Sequence, residues 1–353
     1  MQIGWIQLLE FRNYHTLTYT PSERLNLLTG PNAQGKTNLL EALGVLLTGR
    51  SFRTSRVSEM PHWGAESALL TGELRRPEGS RSVRRTLHKT ESGAWQSAGE
   101  GCSWARAIAF GWQDLEVVNG SPVSRRNFID GFAGRLYPSH LVALVRYRQV
   151  LARRNRLLQM RLPEGALEAR LGPWDEQLAT TGMELIDRRR RAVAALQTEI
   201  ARVYPALSGT RQKVEIRYRG SLGEAGEPAE FLAALGRVRR QEARRGLTLV
   251  GPHRDDLAIE QDGVDARIFG SRGQQRLLAL ALRLAEVLPV TEAAGTAPVL
   301  LLDDALSELD PDVRAQVLRE VRSAEQVFLT TPDALRVEGA AVFEVKGGGV
   351  VAA

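Results

Sequence analysis

Cysteine and long apolar runs are nearly absent from this sequence, and each absence excludes a class of protein. Cys102 is the single cysteine in 353 residues, which excludes an internal disulfide and a metal site built from cysteines. No apolar stretch approaches the roughly 20 residues of a membrane-spanning helix, and the first residues lack the features of a secretory signal. We therefore expect a soluble, cytoplasmic protein with no membrane partner. Because the five histidines are scattered, we also expect no structural zinc.

Lysine is scarce as well, with only four among 47 basic residues. One of them, Lys36, lies in a complete G-x-x-x-x-G-K-[ST] loop, after an apolar strand predicted over 24–29 and before a helix predicted over 38–48. In such a loop the backbone N–H groups and the helix N-terminus face a polyphosphate, the lysine reaches the terminal phosphates and the hydroxyl binds Mg²⁺. The motif predicts an ATP or GTP site, and a glycine-rich turn without a ligand is the alternative. The loop residues are Gly30, Pro31, Asn32, Ala33, Gln34, Gly35, Lys36 and Thr37.

Positive charge is concentrated in the middle of the sequence. Residues 121–250 hold 24 Lys and Arg against 13 Asp and Glu, a net charge of +11, whereas the remaining residues carry −5. Such a segment is typical of a protein that binds a phosphate backbone, and a solvated helical face is the alternative. The arginines that we predict to contact DNA all lie in this segment: Arg146, Arg148, Arg153, Arg154, Arg188, Arg189, Arg190 and Arg191.

The first third of the chain predicts strands and turns around the phosphate loop. Alternating apolar positions indicate two or three strands over 1–29. Arg12, in the turn between two of them, is a candidate for contact with a bound nucleotide, and a plain hairpin corner is the alternative. Residues 68–110 predict a small antiparallel layer with turns at 77–80 and 91–93, and Gln113 follows its last strand.

The basic segment predicts mostly helices. Apolar residues recur at a spacing of three to four from 126 to about 202, and the prolines and glycines at 163–173 interrupt them. This pattern predicts a helical hairpin whose second helix runs over 174–203. A strand over 213–219 and a basic helix over 229–245 are expected to follow.

The last third returns to alternating strands and helices. Strands are predicted over 247–250, 258–260 and 266–269, and a helix opens at 270–276. The apolar strand over 298–302 ends in Asp303 and Asp304. A strand that ends in acid is the second half of a P-loop site, in which Asp303 would hold the Mg²⁺ and Asp304 would orient or deprotonate the attacking water. We therefore expect the two chain ends to meet in one sheet from which the basic segment protrudes.

The order of these motifs resembles an ABC-type ATPase head of the SMC-like kind and, more narrowly, the RecF family of bacterial recombination mediators. The runs that carry the resemblance are F-R-N-Y at 11–14, G-S-P followed by R-R at 120–126, G-P-H-R-D-D-L at 251–257, S-R-G-Q-Q-R at 271–276, and D-D followed by S-E-L-D at 303–310. It implies an α/β fold: a P-loop ABC-type head over 1–119 and 246–353, built from a mixed sheet with flanking helices and an antiparallel layer. An inserted, mostly helical basic domain would occupy 120–245.

The resemblance also implies roles for single residues. The loop at 30–37 would be the Walker A motif that binds ATP, Asp303 and Asp304 the Walker B pair, and Thr37 and Asp303 ligands of Mg²⁺. Gln113 would be the Q-loop residue, near both the metal and the reaction, with Asp114 as an equal candidate. The remaining residues implied to contact the nucleotide are Ser271, Gly273 and Gln274 of the signature and Asp310 of the D-loop.

Two positions depart from the family's ABC relatives. Asp304 stands where many of them have glutamate, so slow hydrolysis is expected because the side chain is one carbon shorter. Thr331 stands where they have a switch histidine, which leaves the sensor of the γ-phosphate open.

The function implied is that of an ATP-dependent DNA clamp with weak, DNA-stimulated ATPase activity. The signature of one subunit would cap the ATP of the other, so that ATP closes a homodimer on single-stranded DNA, duplex or their junction, and hydrolysis reopens it. Such a clamp helps RecO and RecR place RecA in recombinational repair and replication, and it supports the SOS response. Two alternatives stay open: the ATPase subunit of a transporter, and a nucleic-acid-binding scaffold with a vestigial nucleotide site.

Overall fold

The computed structural model describes residues 1–160, 162–322, 324–332 and 337–353. The described strands are β1 (Gln2–Phe11), β2 (Tyr14–Tyr19), β3 (Leu25–Thr29), β4 (Ser67–Arg76), β5 (Gly79–Lys89), β6 (Trp95–Ala98), β7 (Ala107–Phe110), β8 (Val214–Arg219), β9 (Asp256–Gln261), β10 (Val264–Asp265), β11 (Val299–Leu302), β12 (Val327–Thr330), β13 (Ala340–Lys346) and β14 (Gly349–Ala352). The described α-helices are α1 (Lys36–Thr48), α2 (Leu115–Asn119), α3 (Pro122–Leu136), α4 (His140–Gln159), α5 (Glu164–Ser208), α6 (Pro228–Arg245), α7 (Ala266–Phe269), α8 (Arg272–Leu284), α9 (Val287–Ala294) and α10 (Pro311–Val321).

The chain folds into two compact units. Unit 1 comprises Met1–Leu115, Arg202–Arg211 and Ser271–Ala353, and unit 2 comprises Glu116–Ala201 and Gln212–Gly270. The predicted boundaries differ in three places, because the sequence assigns 116–119 and 246–270 to the head and 202–211 to the inserted domain. Residues 256–261 belong to unit 2 because β9 pairs along its whole length with β8, and a shared ladder of backbone hydrogen bonds holds the two strands together.

Unit 1 contains a six-stranded sheet in the order β14-β13-β3-β12-β11-β7. Its strands from β13 to β7 are parallel, and β14 is antiparallel at one edge. Since β3 lies between β12 and β13, the prediction that the two chain ends meet in one sheet is confirmed. Every residue of β11 and of β12 is buried, which is why these strands read as continuous apolar runs.

Unit 1 also contains a five-stranded antiparallel sheet in the order β2-β1-β4-β5-β6. Helix α1 contacts strands of both sheets, and its leucines join one core with Ile6, Leu70 and Leu301. The antiparallel layer was predicted to extend to Phe110, and that part of the prediction is wrong. Strand β7 pairs in parallel with β11, because its A-I-A-F sequence suits a strand that the rest of the domain covers on both faces.

Unit 2 combines helices with the antiparallel sheet β10-β9-β8. Helix α5, which lies in unit 2 up to Ala201, is 45 residues long and starts at Glu164, so the predicted break reaching Gly172 and Pro173 is wrong. A proline removes one backbone hydrogen bond, and burial of Leu167 and Leu171 against Leu158 offsets that cost. Among the described helices, none combines the length with the apolar content that crossing a bilayer requires.

Two predicted strands of unit 2 are wrong as well. Residues 247–250 form no strand, because the Thr248 N–H donates to Asn155 Oδ1 at 2.8 Å and the Leu249 N–H donates to Glu242 Oε1 at 2.9 Å. These side chains take the backbone donors that a strand would offer to a neighbour. Residues 266–269 form the short helix α7 instead of a strand, and the Asp265 carboxylate caps its first turn.

Candidate nucleotide-binding site

The loop at 30–37 connects β3 to α1 and takes a backbone shape that only small residues permit. Gly30 and Gly35 have φ angles of 131° and 112°. A Cβ on Gly30 would lie 2.5 Å from the Val345 carbonyl oxygen, and one on Gly35 would lie 2.6 Å from Asn13 Nδ2. Helix α1 then begins at Lys36, so its N-terminal N–H groups point into the loop.

Lys36 folds back onto this loop. Its ammonium donates to the carbonyl oxygens of Gly30 at 2.5 Å and of Pro31 at 2.8 Å, and only 8% of the residue is exposed. Burial lowers the pKa of Lys36, and the nearby carboxylates of Asp303 and Asp304 oppose that effect. The loop therefore holds a desolvated cation that contacts two neutral carbonyl oxygens. An anion in place of these oxygens would interact with the cation more strongly.

Asp303 lies at the end of β11 and faces the loop. Its two carboxylate oxygens accept hydrogen bonds from Thr37 Oγ1 at 2.8 and 2.9 Å. The Thr330 hydroxyl donates to Asp303 Oδ1 at 2.8 Å, and it accepts the N–H of Asp304 at 2.8 Å. Burial raises the pKa of Asp303, while the hydrogen bonds from Thr330 and Thr37 lower it. The sheet thus brings together the two halves that the sequence predicts to meet.

Asp304 differs from Asp303 in both conformation and exposure. Its φ of 51° lies in the left-handed region, and its side chain is 49% exposed. Arg276 of α8 donates to the Asp304 carbonyl oxygen, and its guanidinium lies 3.9 Å from the Asp304 carboxylate. Asp304 thus offers an accessible carboxylate on a strained backbone, next to the half-buried carboxylate of Asp303. This arrangement fits the separate roles predicted for the two acids.

The turn at 11–14 supports the loop from the side. Asn13 Nδ2 donates to the Gln34 carbonyl at 3.2 Å, and the Tyr14 hydroxyl donates to the Gly35 carbonyl at 3.0 Å. Arg12 binds the fully buried carboxylate of Glu41 through Nε at 2.8 Å and through a terminal nitrogen at 2.7 Å. Its third nitrogen donates to the Glu59 carbonyl. The structure therefore places Arg12 as an anchor of this turn, and its predicted contact with a nucleotide stays a prediction.

The Q-loop candidates have different surroundings. Asp114 binds Arg283 of α8 at 2.6 Å and caps the turn at the Gly111 N–H at 2.8 Å. Gln113 donates to the Arg53 carbonyl at 3.2 Å, and it follows β7, whose Phe110 carbonyl accepts the N–H of Asp303 at 2.8 Å. Because an ion pair occupies Asp114, Gln113 is the better candidate for contact with a ligand.

The predicted signature forms the first turn of α8. The Ser271 hydroxyl accepts the Gln274 N–H at 3.3 Å, and the Gln274 side chain accepts the Ser271 N–H at 2.9 Å, which completes a capping box. Ser271 and Gln274 are exposed and Gly273 is half-buried. Asp310 is an exposed residue at the start of α10. These residues lie at helix starts on the surface of unit 1, where a second molecule has access to them.

The family of this chain follows from its similarity to known proteins. Residues 2–345 match the model of the RecF/RecN/SMC N terminal domain. The chain is 38% identical to the DNA replication and repair protein RecF of Lactobacillus delbrueckii subsp. bulgaricus, over 92% of this chain and 88% of that protein. The chain belongs to the RecF family of DNA replication and repair proteins.

Other RecF-family proteins are similar to this chain along nearly its whole length. The RecF protein of Synechococcus sp. (strain JA-3-3Ab) is 36% identical over 99% of this chain and 97% of that protein. A solved structure of the recombination mediator protein RecF with ATP, in the RecFOR pathway, matches with a TM-score of 0.87 at 30% identity and covers 99% of both chains. An Smc head domain from Pyrococcus furiosus has a TM-score of 0.54 at 18% identity and therefore shows the fold alone.

The arginines predicted to contact DNA divide into two sets in this RecF-family chain. Arg154 is fully buried and binds Asp175 at 2.7 Å and Glu242 at 2.6 Å, and Arg189 is buried and binds Asp130 at 2.7 Å. These two cannot reach a phosphate backbone, so their prediction is wrong. The apolar periodicity does not reveal which arginines are buried, because an arginine paired with acidic side chains in the core cannot be told from an exposed arginine in the sequence. Arg146, Arg148, Arg153 and Arg191 are exposed, and Arg188 and Arg190 are half-buried.

The half-buried and exposed arginines of α5 have protein partners. Arg188 binds Glu184 at 2.5 Å, Arg191 binds Asp187, and Arg190 donates to the carbonyls of Gly223 and Ala225 at 2.6 and 2.8 Å. On α4, by contrast, Arg146 and Arg148 have no ion pair with any residue in the described ranges. The exposed arginines of α4 are therefore the better candidates for a RecF-family DNA surface.

Sequence reasoning missed the residue that connects the two acids. Thr330 binds Asp303 and Asp304, whereas Thr331, the residue proposed from the sequence, is buried and donates its N–H to Leu28. Arg53 donates to Glu41 at 3.1 Å and to Asn38 at 2.7 Å, and its charge lowers the pKa of Asp303. The signal for Thr330 was its place at the end of a buried strand beside the Asp303 strand, which becomes apparent only once the strand order is known.

Proposed function

We propose that this protein is an ATP-hydrolysing DNA clamp that acts in DNA replication and repair. The observation that carries the proposal is the contact of Thr37 with Asp303. It joins a complete phosphate loop to the acids that follow β11, at the carboxyl ends of parallel strands in one sheet. The ATP-bound relative that this chain matches over nearly its whole length supports the same substrate. A vestigial site would not need the buried lysine and the half-buried carboxylate that this chain retains.

The residues fit ATP and a magnesium ion. The glycine positions of the loop leave no room for a Cβ, and Lys36 offers a buried ammonium to terminal phosphates. Thr37 and Asp303 are oxygen ligands of the kind that Mg²⁺ prefers, and Gln113 would join them from the end of β7. When bound, the ion neutralises charge on the phosphates.

The hydrolytic residues are Asp304 and Gln113. Asp304 is exposed and reaches less far than a glutamate, so it would orient water less efficiently. We expect slow, DNA-stimulated turnover, which suits a clamp that stays closed for some time. Opening would follow hydrolysis.

Closure requires a second copy of the chain. The exposed Ser271 and Gln274, together with the half-buried Gly273, would cap the ATP held by the partner, and Asp310 would lie at the same interface. The DNA would lie against the exposed arginines of α4 in unit 2. The relative from the RecFOR pathway supports RecO and RecR as partners, with RecA placed indirectly.

The experiment that tests the function is an ATPase assay with and without DNA on the wild type and on Lys36→Met. Methionine keeps the apolar stem of the lysine and removes its charge, so the fold should persist and phosphate binding should be lost. We expect measurable hydrolysis that DNA stimulates in the wild type, and hydrolysis at background level in the variant. A wild type without ATPase activity, or a variant with equal nucleotide affinity, would contradict the proposal and favour the scaffold with a vestigial site.

A further inference from the structure

Two histidines and a glutamate meet beside the turn at 11–14, in unit 1. Glu10, His15 and His62 each place a ligand atom within 4.8 Å of the other two. His15 Nδ1 lies 3.3 Å from Glu10 Oε1, and the rings of His15 and His62 have centroids 3.9 Å apart and planes tilted by 42°. This proximity corrects the expectation from the sequence, in which the histidines look scattered.

The backbone fixes all three residues. Glu10 and His15 are cross-strand neighbours in the hairpin of β1 and β2, since Leu9 pairs with Thr16 and Phe11 pairs with Tyr14. The segment at 60–62 docks on the same hairpin, because the His62 N–H donates to the Glu10 carbonyl at 2.7 Å and the Arg12 N–H donates to the Met60 carbonyl at 2.9 Å. Backbone hydrogen bonds therefore hold the three residues next to one another.

The hydrogen bond of His62 determines which ring nitrogen carries the proton. His62 Nδ1 lies 2.7 Å from the Arg12 carbonyl oxygen, which can only accept. Nδ1 therefore carries the proton, and in the neutral ring Nε2 carries the lone pair. A histidine that donates one nitrogen to a backbone carbonyl and offers the other as a ligand is the arrangement found in metal sites of proteins.

We propose that Glu10, His15 and His62 bind a transition-metal ion of the Zn²⁺ class. Two imidazoles and one carboxylate suit Zn²⁺, Co²⁺ or Ni²⁺, whereas Mg²⁺ and Ca²⁺ prefer oxygen ligands. Three protein ligands leave at least one coordination position for water. The site is accessible, because the His15 side chain is 69% exposed.

Binding at this site would join three segments of unit 1. The ion would link β1, β2 and the segment at 60–62, which together enclose the turn whose Asn13 and Tyr14 support the phosphate loop. Because no residue of the phosphate loop is a ligand, Lys36→Met should leave metal binding unchanged. That variant therefore separates a failure of this proposal from a failure of the proposed ATPase.

The test is a titration of the EDTA-treated full-length protein with Zn²⁺ alone, together with the visible spectrum of the Co²⁺ form. We expect one ion per chain, a tetrahedral Co²⁺ band and a rise in Tm that depends on metal concentration. His62→Asn is the decisive variant, because the asparagine amide replaces Nδ1–H toward the Arg12 carbonyl and removes Nε2. We expect it to bind Zn²⁺ at least about tenfold more weakly and to lose the Co²⁺ band.

His15→Gln provides a second ligand deletion on the exposed side of the cluster, where a folding defect is least expected. His88→Asn, on β5 and outside the cluster, is the matched control and should bind as the wild type does. Equal Zn²⁺ affinity in the wild type and in both ligand variants would overturn the proposal, as would a wild type that gives no Co²⁺ band.

Discussion

The Thr330 hydroxyl connects the two acids at the end of β11, because it donates to the Asp303 carboxylate and accepts the Asp304 N–H. Thr330→Val keeps the shape and removes both bonds. We expect a loss of about 1–3 kcal/mol in the free energy of unfolding, since a partly buried N–H and a partly buried carboxylate each lose a partner. We also expect slower ATP hydrolysis with little change in ATP affinity, measured as kcat and Kd.

Thr331→Val is the comparison at the neighbouring position. Thr331 donates its backbone N–H to Leu28, a bond that valine preserves. If this variant slowed hydrolysis more than Thr330→Val did, the role in organising the acid pair would belong to Thr331 instead.

His253 makes the stability of unit 2 depend on pH. Its Nε2 lies 3.1 Å from the Thr248 carbonyl and its Nδ1 lies 2.7 Å from the Tyr147 hydroxyl, so a neutral ring satisfies both. Burial lowers the pKa of His253 to about 4; Arg254 and Arg126 also lower it, whereas the Thr248 carbonyl and Asp255 raise it. The unfolded chain binds this proton more tightly than the folded chain does. The stability that the neutral His253 ring contributes is therefore present above about pH 6.5 and is lost as the pH falls toward 4.

Urea unfolding at pH 7 and at pH 4.5 measures this effect. The wild type should lose at most about 3 kcal/mol from this group between the two values. His253→Gln keeps a donor for the Thr248 carbonyl but does not titrate, and its stability should therefore fall less over the same interval. An equal fall in both proteins would show that other groups cause the dependence.

At the scale of elements, Arg154 connects α4 to three other segments of unit 2. From α4 it binds Asp175 on α5 and Glu242 on α6, and it donates to the Thr248 hydroxyl at 2.7 Å. Arg154→Met would leave two buried carboxylates without their central cation, and we expect a loss of about 3–5 kcal/mol in the free energy of unfolding. Arg156→Met, on an exposed position of the same helix, should change stability by no more than about 0.5 kcal/mol. Chemical denaturation measures both, and equal effects would contradict the structural role of Arg154.

The same helices show how far the sequence predicts the fold. Periodicity located β3, α1, α6 and β11, because each has one strong pattern between clear breaks. It failed at Gly172 and Pro173, where helix packing outweighs the local preference of two residues. It failed also at 247–250, where side chains from α4 and α6 take the backbone donors, since such long-range partners leave no mark on the local pattern.

The candidate site was predictable to a similar degree. The phosphate loop and the acid pair follow from spacing alone, because their chemistry requires those residue types in that order. Thr330 acts through contacts between separate strands, so only the strand order makes its role apparent. The sequence marks the turn at 11–14 through Arg12, but its support of the phosphate loop becomes apparent only in the structure.

At the scale of the whole molecule, the ATP-closed dimer depends on Ser271. Ser271→Arg places a bulky cation at the predicted interface, and we expect ATP binding by the single chain to stay nearly unchanged while ATP no longer produces a dimer. Sedimentation with and without ATP measures this. Ser271→Asp keeps an oxygen that can cap α8 and adds a charge that repels phosphate, so a lost dimer in both variants cannot be attributed to the lost cap. A normal dimer peak in both would count against closure through this residue.

DNA binding should depend on salt according to the number of arginine contacts. Each phosphate contact on duplex DNA contributes about −0.9 to the slope of log K against log salt. Replacing Arg146, Arg148 and Arg153 by alanine should reduce that slope by about three units at most and leave ATP binding unchanged.

The control for this measurement lies on β5 in unit 1. Arg81 and Arg84 are exposed there, and replacing both by alanine should leave the slope unchanged. A slope that changes with this pair and not with the α4 arginines would move the DNA surface to unit 1.

The sheet that carries the ATP site also constrains how the chain folds while it is being made. Strand β3 ends at residue 29, and its two neighbours span Val327–Thr330 and Ala340–Lys346. At a synthesis rate of about 5–20 residues per second, roughly 15–60 seconds separate the emergence of β3 from that of its first partner. The hairpins from β1 to β6 have local partners and can form on the ribosome during that delay. Strand β3 cannot, so a nascent chain exposes the apolar strand before its phosphate loop until β12 and β13 have emerged, and a ribosome-bound chaperone would meet that segment during the delay.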